Sequence, residues 1–289
     1  MEVETPLLSA AAATAPFLDS FVTRYQGPLA PQGQNLYLQT SPEFAMKRLL
    51  AAGSGPIYQV CKAFRNGEAG TQHNPEFTML EWYRPGFDHH ALMDEVEALV
   101  DSILDTGPVQ RIKYRDLFQG RVGLDPLDFG AEEARACLLR HGIEAPDMGD
   151  ATPDDWLALI LTHIIEPSLT SEAVFIHDFP ASQAMLARLS QTEPLTAERF
   201  ELYVNGIELA NGFHELLDGA EQQRRFESEL QQRRQIGLPE LPMDEALIDA
   251  LKQGLPDCAG VAVGVDRLLM LAANEHNIAG VLAFPVDRC

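Results

Sequence analysis

Residues 200–211, FELYVNGIELAN, predict two antiparallel β-strands joined by a two-residue turn. The dipeptide Asn205-Gly206 favours a type I′ turn, which matches the twist of a β-hairpin. In the register that this turn sets, Val204 pairs with Ile207. The chain is therefore expected to contain a β-hairpin at this position.

Two acidic residues are brought together by the predicted hairpin. Tyr203 faces Glu208 in the expected register. Glu201 faces Ala210, which places its carboxylate diagonal to that of Glu208, about 7–8 Å away. Such carboxylates repel each other unless a cation lies between them, and magnesium carried by a nucleotide takes oxygen ligands of this kind. Exposure of both carboxylates to solvent is the alternative interpretation.

Three side chains alternate just beyond the hairpin and share one face: Asn211, Phe213 and Glu215. A polar, an aromatic and an acidic group in this pattern predict a pocket for an amino acid with an ammonium tail. The alternative is an edge strand with a polar outer face.

A second pair of strands is predicted at residues 57–65 and 76–83, with a glycine-containing loop between them. Arg65, at the end of the first strand, can bind a phosphate or a carboxylate through two hydrogen bonds. Alternation places four side chains on one face of the return strand: Phe77, Met79, Glu81 and Tyr83. Phe77 can stack on a base, and Glu81 can pair with a substrate ammonium, although each residue alone is more often structural.

The small-residue strand GVAVG at residues 260–264 runs into a helix that carries Arg267. Small residues allow a flat ligand to lie close to the backbone. Arg267 adds positive charge to a helix N-terminus, which already favours anions. The sequence is neither a Walker loop nor the dinucleotide fingerprint, and a tightly packed strand–helix junction is the alternative.

Strands that lie far apart in sequence, with helices between them, predict an α+β fold with a mainly antiparallel sheet. Helices are expected at residues 41–52, 220–234 and 244–253, and an apolar stripe predicts another at residues 92–103. Residues 108–196 are interpreted as a mostly helical middle segment. We expect one domain over residues 1–289.

The composition limits the classes of partner. Asp and Glu total 43 against 21 Lys and Arg, a net charge of −22. Such a surface repels a polyanion and argues against a protein that binds tRNA tightly, although it can equally serve solubility alone.

The four widely spaced cysteines are expected to be free thiols. The adjacent His89 and His90 are interpreted as surface residues, and the eight histidines show no ligand spacing. The sequence lacks a secretory signal and a membrane-length apolar stretch, so a cytoplasmic location is expected.

Taken in chain order, three segments of the sequence resemble the three motifs of class II aminoacyl-tRNA synthetases, most closely those of the lysyl branch. Residues 3–6, VETP, resemble the end of motif 1. Residues 64–81 resemble motif 2, and residues 260–267 resemble motif 3. The resemblance covers residues 1–289 and implies a mainly antiparallel sheet flanked by helices.

Within this family the chain is most similar to lysyl-synthetase paralogues that modify a protein, because residues 77–85, 208–216 and 260–271 match them closely. Ala262 stands where the synthetase motif has a glycine, and we expect no anticodon-binding domain. The resemblance implies that ATP and (R)-β-lysine, or lysine, form an aminoacyl adenylate. The aminoacyl group then passes to the ε-amine of a lysine on elongation factor P. It also implies a homodimer without stable tRNA binding.

The resemblance assigns roles to residues by position. ATP would contact Arg65, Asn66, Gly67, Asn74, Phe77, Glu208, Leu209, Gly264 and Arg267. The amino-acid substrate would contact Ser41, Pro42, Glu43, Glu81, Tyr83, Asn211, Phe213, Glu215 and Ala262. Glu201 and Glu208 would hold Mg²⁺. Arg65 and Arg267 would be catalytic, through positioning and charge neutralisation.

Two departures from the family pattern bear on these expectations. Motif 2 usually reads Arg-x-Glu, and the glutamate contacts the adenine amine; here Gly67 takes that position and Glu68 follows. The chain also begins at the motif 1 strand, without the helix that precedes it in the family and builds the dimer interface. The alternatives are a truncated lysyl-tRNA synthetase acting on tRNA and a non-catalytic paralogue that binds an amino acid or a nucleotide.

Overall fold

The computed structural model describes residues 1–149, 151–170 and 172–289. The chain forms two compact units. Unit 1 comprises residues 1–87 and 216–289, and unit 2 comprises residues 88–215.

The strands, in chain order, are β1 (Leu8–Ser9), β2 (Val22–Gly27), β3 (Ala30–Leu38), β4 (Ile57–Phe64), β5 (Glu76–Pro85), β6 (Gln110–Lys113), β7 (Ala173–Pro180), β8 (Thr196–Val204), β9 (Ile207–His214) and β10 (Cys258–Gly264). The helices are α1 (Glu43–Ala51), α2 (His89–Leu104), α3 (Tyr114–Val122), α4 (Ala131–Arg140), α5 (Pro153–Ile160), α6 (Glu166–Ser168), α7 (Gly219–Gln235), α8 (Glu245–Gln253) and α9 (Val265–Ala273). A π-helical turn at Leu161–Ile165 joins α5 to α6.

In unit 1, strand β5 lies between β4 and β10, and both pairings are antiparallel. The register places Gln59 of β4 and Ala262 of β10 on either side of Glu81 in the centre of β5. Strands β1, β2 and β3 form a separate three-stranded antiparallel sheet.

In unit 2, β8 pairs antiparallel with both β7 and β9, and β6 pairs parallel with β7. The core includes Trp156, Leu157 and Ile160 of α5. The predicted α+β class with a mainly antiparallel sheet is confirmed within each unit.

The middle of the chain contains strands that the sequence did not predict. Both β6 and β7 lie within residues 108–196, which were expected to be mostly helical. The run Val174 to Ile176 is completely buried, so it shows no alternation of polar and apolar side chains. A short apolar run of this kind cannot be told from a buried helix by its periodicity.

The predicted hairpin turn is confirmed, with φ angles of 53° at Asn205 and 76° at Gly206. Both values lie in the left-handed region that a type I′ turn requires. A Cβ atom at Gly206 would also lie 2.8 Å from the backbone oxygen of Glu166, so sterics and φ both favour glycine there.

The interpretation of His89 and His90 as surface residues is half wrong. His90 is exposed, but His89 is buried, because it enters α2 on the side that packs toward the sheet of unit 2. The four cysteines are free, as expected. Among the described residues, no helix combines the length and apolar character of a membrane span.

Candidate active site

The centre of the unit 1 sheet carries a buried carboxylate, that of Glu81, which is 2% exposed. Glu81 accepts hydrogen bonds from Ser41 Oγ, at 2.5 Å, and from the hydroxyl of Tyr83, at 3.1 Å. Ser41 Oγ in turn accepts a hydrogen bond from the backbone N–H of Glu43, at 3.0 Å. Four residues that were predicted to bind substrate, Ser41, Glu43, Glu81 and Tyr83, therefore share one hydrogen-bonded network. Ser41 links the start of α1 to β5 in this network.

The start of α1 differs slightly from the prediction. Pro42 occupies the N-cap position, and the helix begins at Glu43, two residues after the expected start at residue 41. The Glu43 carboxylate is 2.6 Å from Nζ of Lys47, whose side chain is almost completely buried. This pair fixes Glu43 one helical turn from Lys47.

Strand β10 presents only small groups beside the Glu81 network. Ala262 pairs with Glu81, while Gly260 and Gly264 pair with Tyr83 and Met79. A strand without large side chains on this face leaves room for a ligand above the sheet.

Two residues of β4 line the same face and were missed in the sequence. Gln59 pairs with Glu81 and is 3% exposed, and its Oε1 has no hydrogen-bond partner among the described residues. Cys61 pairs with Met79, and burial, reinforced by the negative charge of Glu81, raises the pKa of its thiol to about 12. The signal for both is period-2 alternation along β4, which places Gln59 and Cys61 on the same face as Ala63.

Arg65 stands at the end of β4, where the chain turns toward β5. Its guanidinium lies over the ring of Phe77, with its central carbon 5.1 Å from the ring centroid. Its NH1 is 3.9 Å from Oε2 of Glu68. Gly67 has a φ of 84°, which permits the tight turn and directs the next residue back toward Arg65. Glu68 therefore lies beside Arg65.

Arg267, near the start of α9, braces the loop that follows Arg65. Its Nε donates to the backbone oxygen of Gln72 at 3.3 Å, and its NH2 is 2.7 Å from Nε2 of His73. The neighbouring Asp266 accepts from the backbone N–H of Thr78 at 2.6 Å. Both predicted catalytic arginines thus adjoin the loop between β4 and β5.

The side-chain amide of Asn74 makes hydrogen bonds to the backbone of two other residues. Its Nδ2 donates to the backbone oxygen of Glu76 at 2.6 Å, and its Oδ1 accepts from the backbone N–H of Val286 at 3.0 Å. Asn66, also predicted to contact ATP, donates its backbone N–H to the oxygen of Asp19 at 2.8 Å. These contacts order the loop.

In unit 2, a β-bulge changes the predicted register of the hairpin. The pairing of Tyr203 with Glu208 is confirmed, but Glu201 pairs with Asn211 and not with Ala210. Leu209 is the extra residue, because Leu202 pairs with Ala210. A one-residue bulge reverses the alternation beyond it, so Asn211 joins Glu208 and Glu201 on the same face.

Glu201 lies at the centre of a polar network on this face. Its carboxylate accepts from the hydroxyl of Tyr203 at 2.8 Å and from Nδ2 of Asn211 at 3.3 Å. Arg199 pairs with the same carboxylate and also donates Nε to Asn211 Oδ1 at 3.3 Å. Burial raises the pKa of Glu201; the Arg199 charge opposes the shift, and the Glu208 carboxylate adds to it.

A third carboxylate completes this acidic group, since the hydroxyl of Tyr203 also donates to Oε1 of Glu166 at 3.2 Å. Burial and the charges of the three carboxylates raise the pKa of Tyr203 well above its usual value. Oxygen donors of this type suit Mg²⁺. The donor set therefore fits the predicted metal, although the Arg199 guanidinium already supplies positive charge to Glu201.

The remaining predicted residues of unit 2 are buried along β9 and at its end. Phe213 pairs with Arg199 in the strand register, and Leu209 is buried at the bulge. Glu215 is 1% exposed, and its backbone oxygen accepts from Nε of Arg188 at 3.1 Å.

Comparison with known proteins identifies the family. Residues 1–288 match the family described as class II tRNA synthetases (D, K and N). The chain belongs to the class II tRNA synthetases. The resemblance that the three motifs suggested is confirmed.

Individual relatives of this class II synthetase match along its whole length. It is 51% identical over 289 residues to the elongation factor P--(R)-beta-lysine ligase of Salmonella gallinarum (strain 287/91 / NCTC 13346). It is 50% identical to the proteins of the same name from Salmonella arizonae and Salmonella paratyphi B. Each alignment covers 100% of this chain and 89% of the relative.

Within each unit, the synthetase motifs gather the residues that were predicted from them. Unit 1 brings together Ser41, Glu81, Tyr83 and Ala262, and it places Arg65, Phe77 and Arg267 around one loop. Unit 2 brings together Glu201, Glu208 and Asn211. The main residue that the sequence analysis missed in unit 2 is Arg199, two positions before Glu201 and therefore on the same face of β8.

Proposed function

We propose that this class II synthetase is a ligase that activates (R)-β-lysine, or lysine, with ATP and transfers it to a lysine of elongation factor P. The observation that carries the proposal is the 51% identity over all 289 residues to a ligase of that name. The Glu81 network supports it, because hydroxyls orient a buried carboxylate, and a carboxylate can accept a hydrogen bond from an ammonium group.

In the first step, the carboxylate of the amino acid attacks the α-phosphorus of ATP, and pyrophosphate leaves. Arg65 neutralises the α-phosphate and orients the attacking carboxylate, while the Phe77 ring supports the adenine. Arg267 balances the charge of the γ-phosphate at the other end of the triphosphate. No side chain acts as a nucleophile, so catalysis consists of positioning and charge neutralisation.

In the second step, the ε-amine of the acceptor lysine attacks the carbonyl carbon of the adenylate. An amide bond forms, AMP leaves, and the amine loses a proton. Glu81 is the proposed partner of a substrate ammonium group, with the aromatic Tyr83 beside it. The family resemblance assigns Glu215 and Phe213 to substrate binding as well. Residues 1–289 act in this proposal as one catalytic domain.

Glu201 and Glu208 are the proposed ligands of Mg²⁺. The metal would screen the phosphate charges of the nucleotide and so favour the departure of pyrophosphate. The acidic group around Tyr203 supports this assignment, since three carboxylates near one hydroxyl favour a cation.

Elongation factor P is the proposed acceptor, and its role in translation suggests a cytoplasmic reaction. The net charge of −22 argues against stable tRNA binding. We propose a homodimer, as in the synthetase family that the sequence resembles.

Incubation with ATP and labelled (R)-β-lysine, together with either elongation factor P or tRNA, tests this function. We expect ATP-dependent label on elongation factor P and none on tRNA. The Arg65→Ala variant is the control for label that does not depend on activation. Label on tRNA alone would overturn the proposed acceptor, and label on neither would overturn the proposed transfer.

A further inference from the structure

Unit 2 contains a group of metal-ligand side chains to which the proposed reaction gives no role. His89 and His90 open α2, and His177 and Asp178 lie near the end of β7. Each offers one ligand atom, and these atoms lie within 4.8 Å of one another. We propose that this group, the histidine cluster, binds a transition-metal ion of the zinc type.

The geometry of β7 directs two adjacent residues toward α2. The pairing of β7 with β8 shifts register between His177 and Phe179. Asp178 has a φ of 57°, in the left-handed region. Successive residues of a regular strand point to opposite faces, but a bulge re-aims one of them. Consequently Oδ1 of Asp178 lies 3.3 Å from Nδ1 of His177 and 3.4 Å from Nε2 of His89.

The buried imidazoles are incompletely hydrogen-bonded. His89 is 5% exposed, and its Nδ1 makes no hydrogen bond to the described residues. Its Nε2 and Nδ1 of His177 share the single Oδ1 of Asp178 at 3.4 Å and 3.3 Å, which is long for hydrogen bonds. A buried polar nitrogen without a full hydrogen bond is costly, and a metal ion at this position would bind these nitrogens.

The rings are already close together. The centroids of His89 and His90 are 4.1 Å apart, and those of His90 and His177 are 5.4 Å apart. Ligand atoms around a tetrahedral zinc ion with bonds of about 2.0–2.1 Å lie roughly 3.3 Å apart. Small side-chain rotations would therefore bring the four ligand atoms into coordination distance.

The ligand set determines the class of metal. Three imidazoles and one carboxylate suit Zn²⁺, Co²⁺, Ni²⁺ and Cu²⁺, whereas Mg²⁺ takes oxygen ligands. Lys113 Nζ, 3.0 Å from Oδ2 of Asp178, is 60% exposed and can move aside. The exposed His90 provides an approach from solvent.

Titration of the metal-free protein with Co²⁺ tests the proposal, with excess Mg²⁺ present to occupy oxygen-ligand sites. We expect one Co²⁺ per chain with the visible absorption of a four-coordinate site, displaced by Zn²⁺. His90→Ala and His177→Ala should each weaken binding at least about tenfold. His163→Ala, which removes an exposed histidine elsewhere in unit 2, should leave binding unchanged.

Thermal unfolding of each variant, with and without Zn²⁺, distinguishes loss of metal binding from loss of the folded structure. Zn²⁺ should raise the unfolding midpoint of the unchanged protein and of His163→Ala, but not that of His90→Ala. Because His90 is exposed, its replacement should keep the metal-free midpoint. Absence of a four-coordinate Co²⁺ signal, or equal affinity in His90→Ala and His177→Ala, would overturn the proposal. So would loss of binding in His214→Ala with no loss in His90→Ala, since the ion would then belong to the neighbouring group His89, Glu198 and His214.

Discussion

Two buried carboxylates, one in each unit, are held in different ways. Glu81 accepts hydrogen bonds from the hydroxyls of Ser41 and Tyr83, whereas Glu201 is paired with the guanidinium of Arg199. A hydroxyl orients a carboxylate without cancelling its charge, but a guanidinium supplies the opposite charge. We infer that the two hydroxyls orient the Glu81 carboxylate, while Glu201 belongs to a network that contains a cation.

The comparison extends to the arginines. Arg199 is buried and its charge is used within the fold, while about a third of the Arg65 side chain is exposed. A partly exposed guanidinium stacked on an aromatic ring remains able to bind an anion. Arg65 is therefore expected to bind substrate, whereas Arg199 is expected to stabilise the fold.

The largest effect on activity is expected for Arg65→Ala. Loss of its charge from the transition state should reduce ATP–pyrophosphate exchange with (R)-β-lysine by about 10³-fold. Arg84→Ala is the matched control, because Arg84 also lies 5.1 Å over a ring, that of Phe87. Normal exchange in Arg65→Ala would remove Arg65 from the mechanism.

The largest effect on stability is expected for Arg199→Ala. Removal of one partner leaves Glu201 buried beside other carboxylates, which should lower the free energy of unfolding by about 3 kcal/mol. Urea denaturation measures this change. Arg115→Ala, which breaks an exposed pair with Asp125, should leave the midpoint unchanged. Equal midpoints for the two variants would show that the Arg199 pair is not a structural element.

Replacement of the carboxylates proposed to bind the amino acid should raise the KM for (R)-β-lysine much more than the KM for ATP. In Glu81→Gln and in Glu215→Gln, the KM for (R)-β-lysine should rise by about 10- to 100-fold, because a charged hydrogen bond to the ammonium is lost. The KM for ATP should change much less, and Glu76→Gln at the exposed start of β5 serves as the control. An equal rise in the KM values for both substrates would refute the assignment of Glu81 and Glu215 to the amino-acid substrate.

The smallest effect concerns Cys61, beside Glu81. A thiol with a pKa of about 12 is protonated at pH 8, so only about one molecule in 10⁴ carries the reactive thiolate. Iodoacetamide at pH 8 should therefore modify the exposed Cys289 well before Cys61, as peptide mass spectrometry would show. Removal of the Glu81 charge in Glu81→Gln should speed the reaction of Cys61, and an unchanged rate would contradict the influence of Glu81.

The two units also differ in how much of their site could be predicted. Side-chain alternation along a regular strand was enough to place Glu81, Tyr83 and Ala262 together, since β5 and β10 pair without interruption. In unit 2 the same rule failed beyond Tyr203, because it assumed an uninterrupted strand. It put Glu201 opposite Ala210, and the bulge at Leu209 moved Asn211 into that position.

The histidines illustrate a different limit. Sequence spacing gave no reason to associate residues 89–90 with residues 177–178, because ligands from separate elements meet only through tertiary packing. Burial of His89 likewise depends on the sheet of unit 2 and not on its helix alone.

The order of local signals along the chain determined the synthetase family, the type I′ hairpin and the polar face of β5, because each rests on residues close in sequence. Tertiary structure alone decided the register beyond Leu209, the pairing of Arg199 with Glu201 and the histidine cluster. The physical reason is that a bulge, a buried ion pair and a set of metal ligands depend on contacts between elements, whose energies no local pattern records.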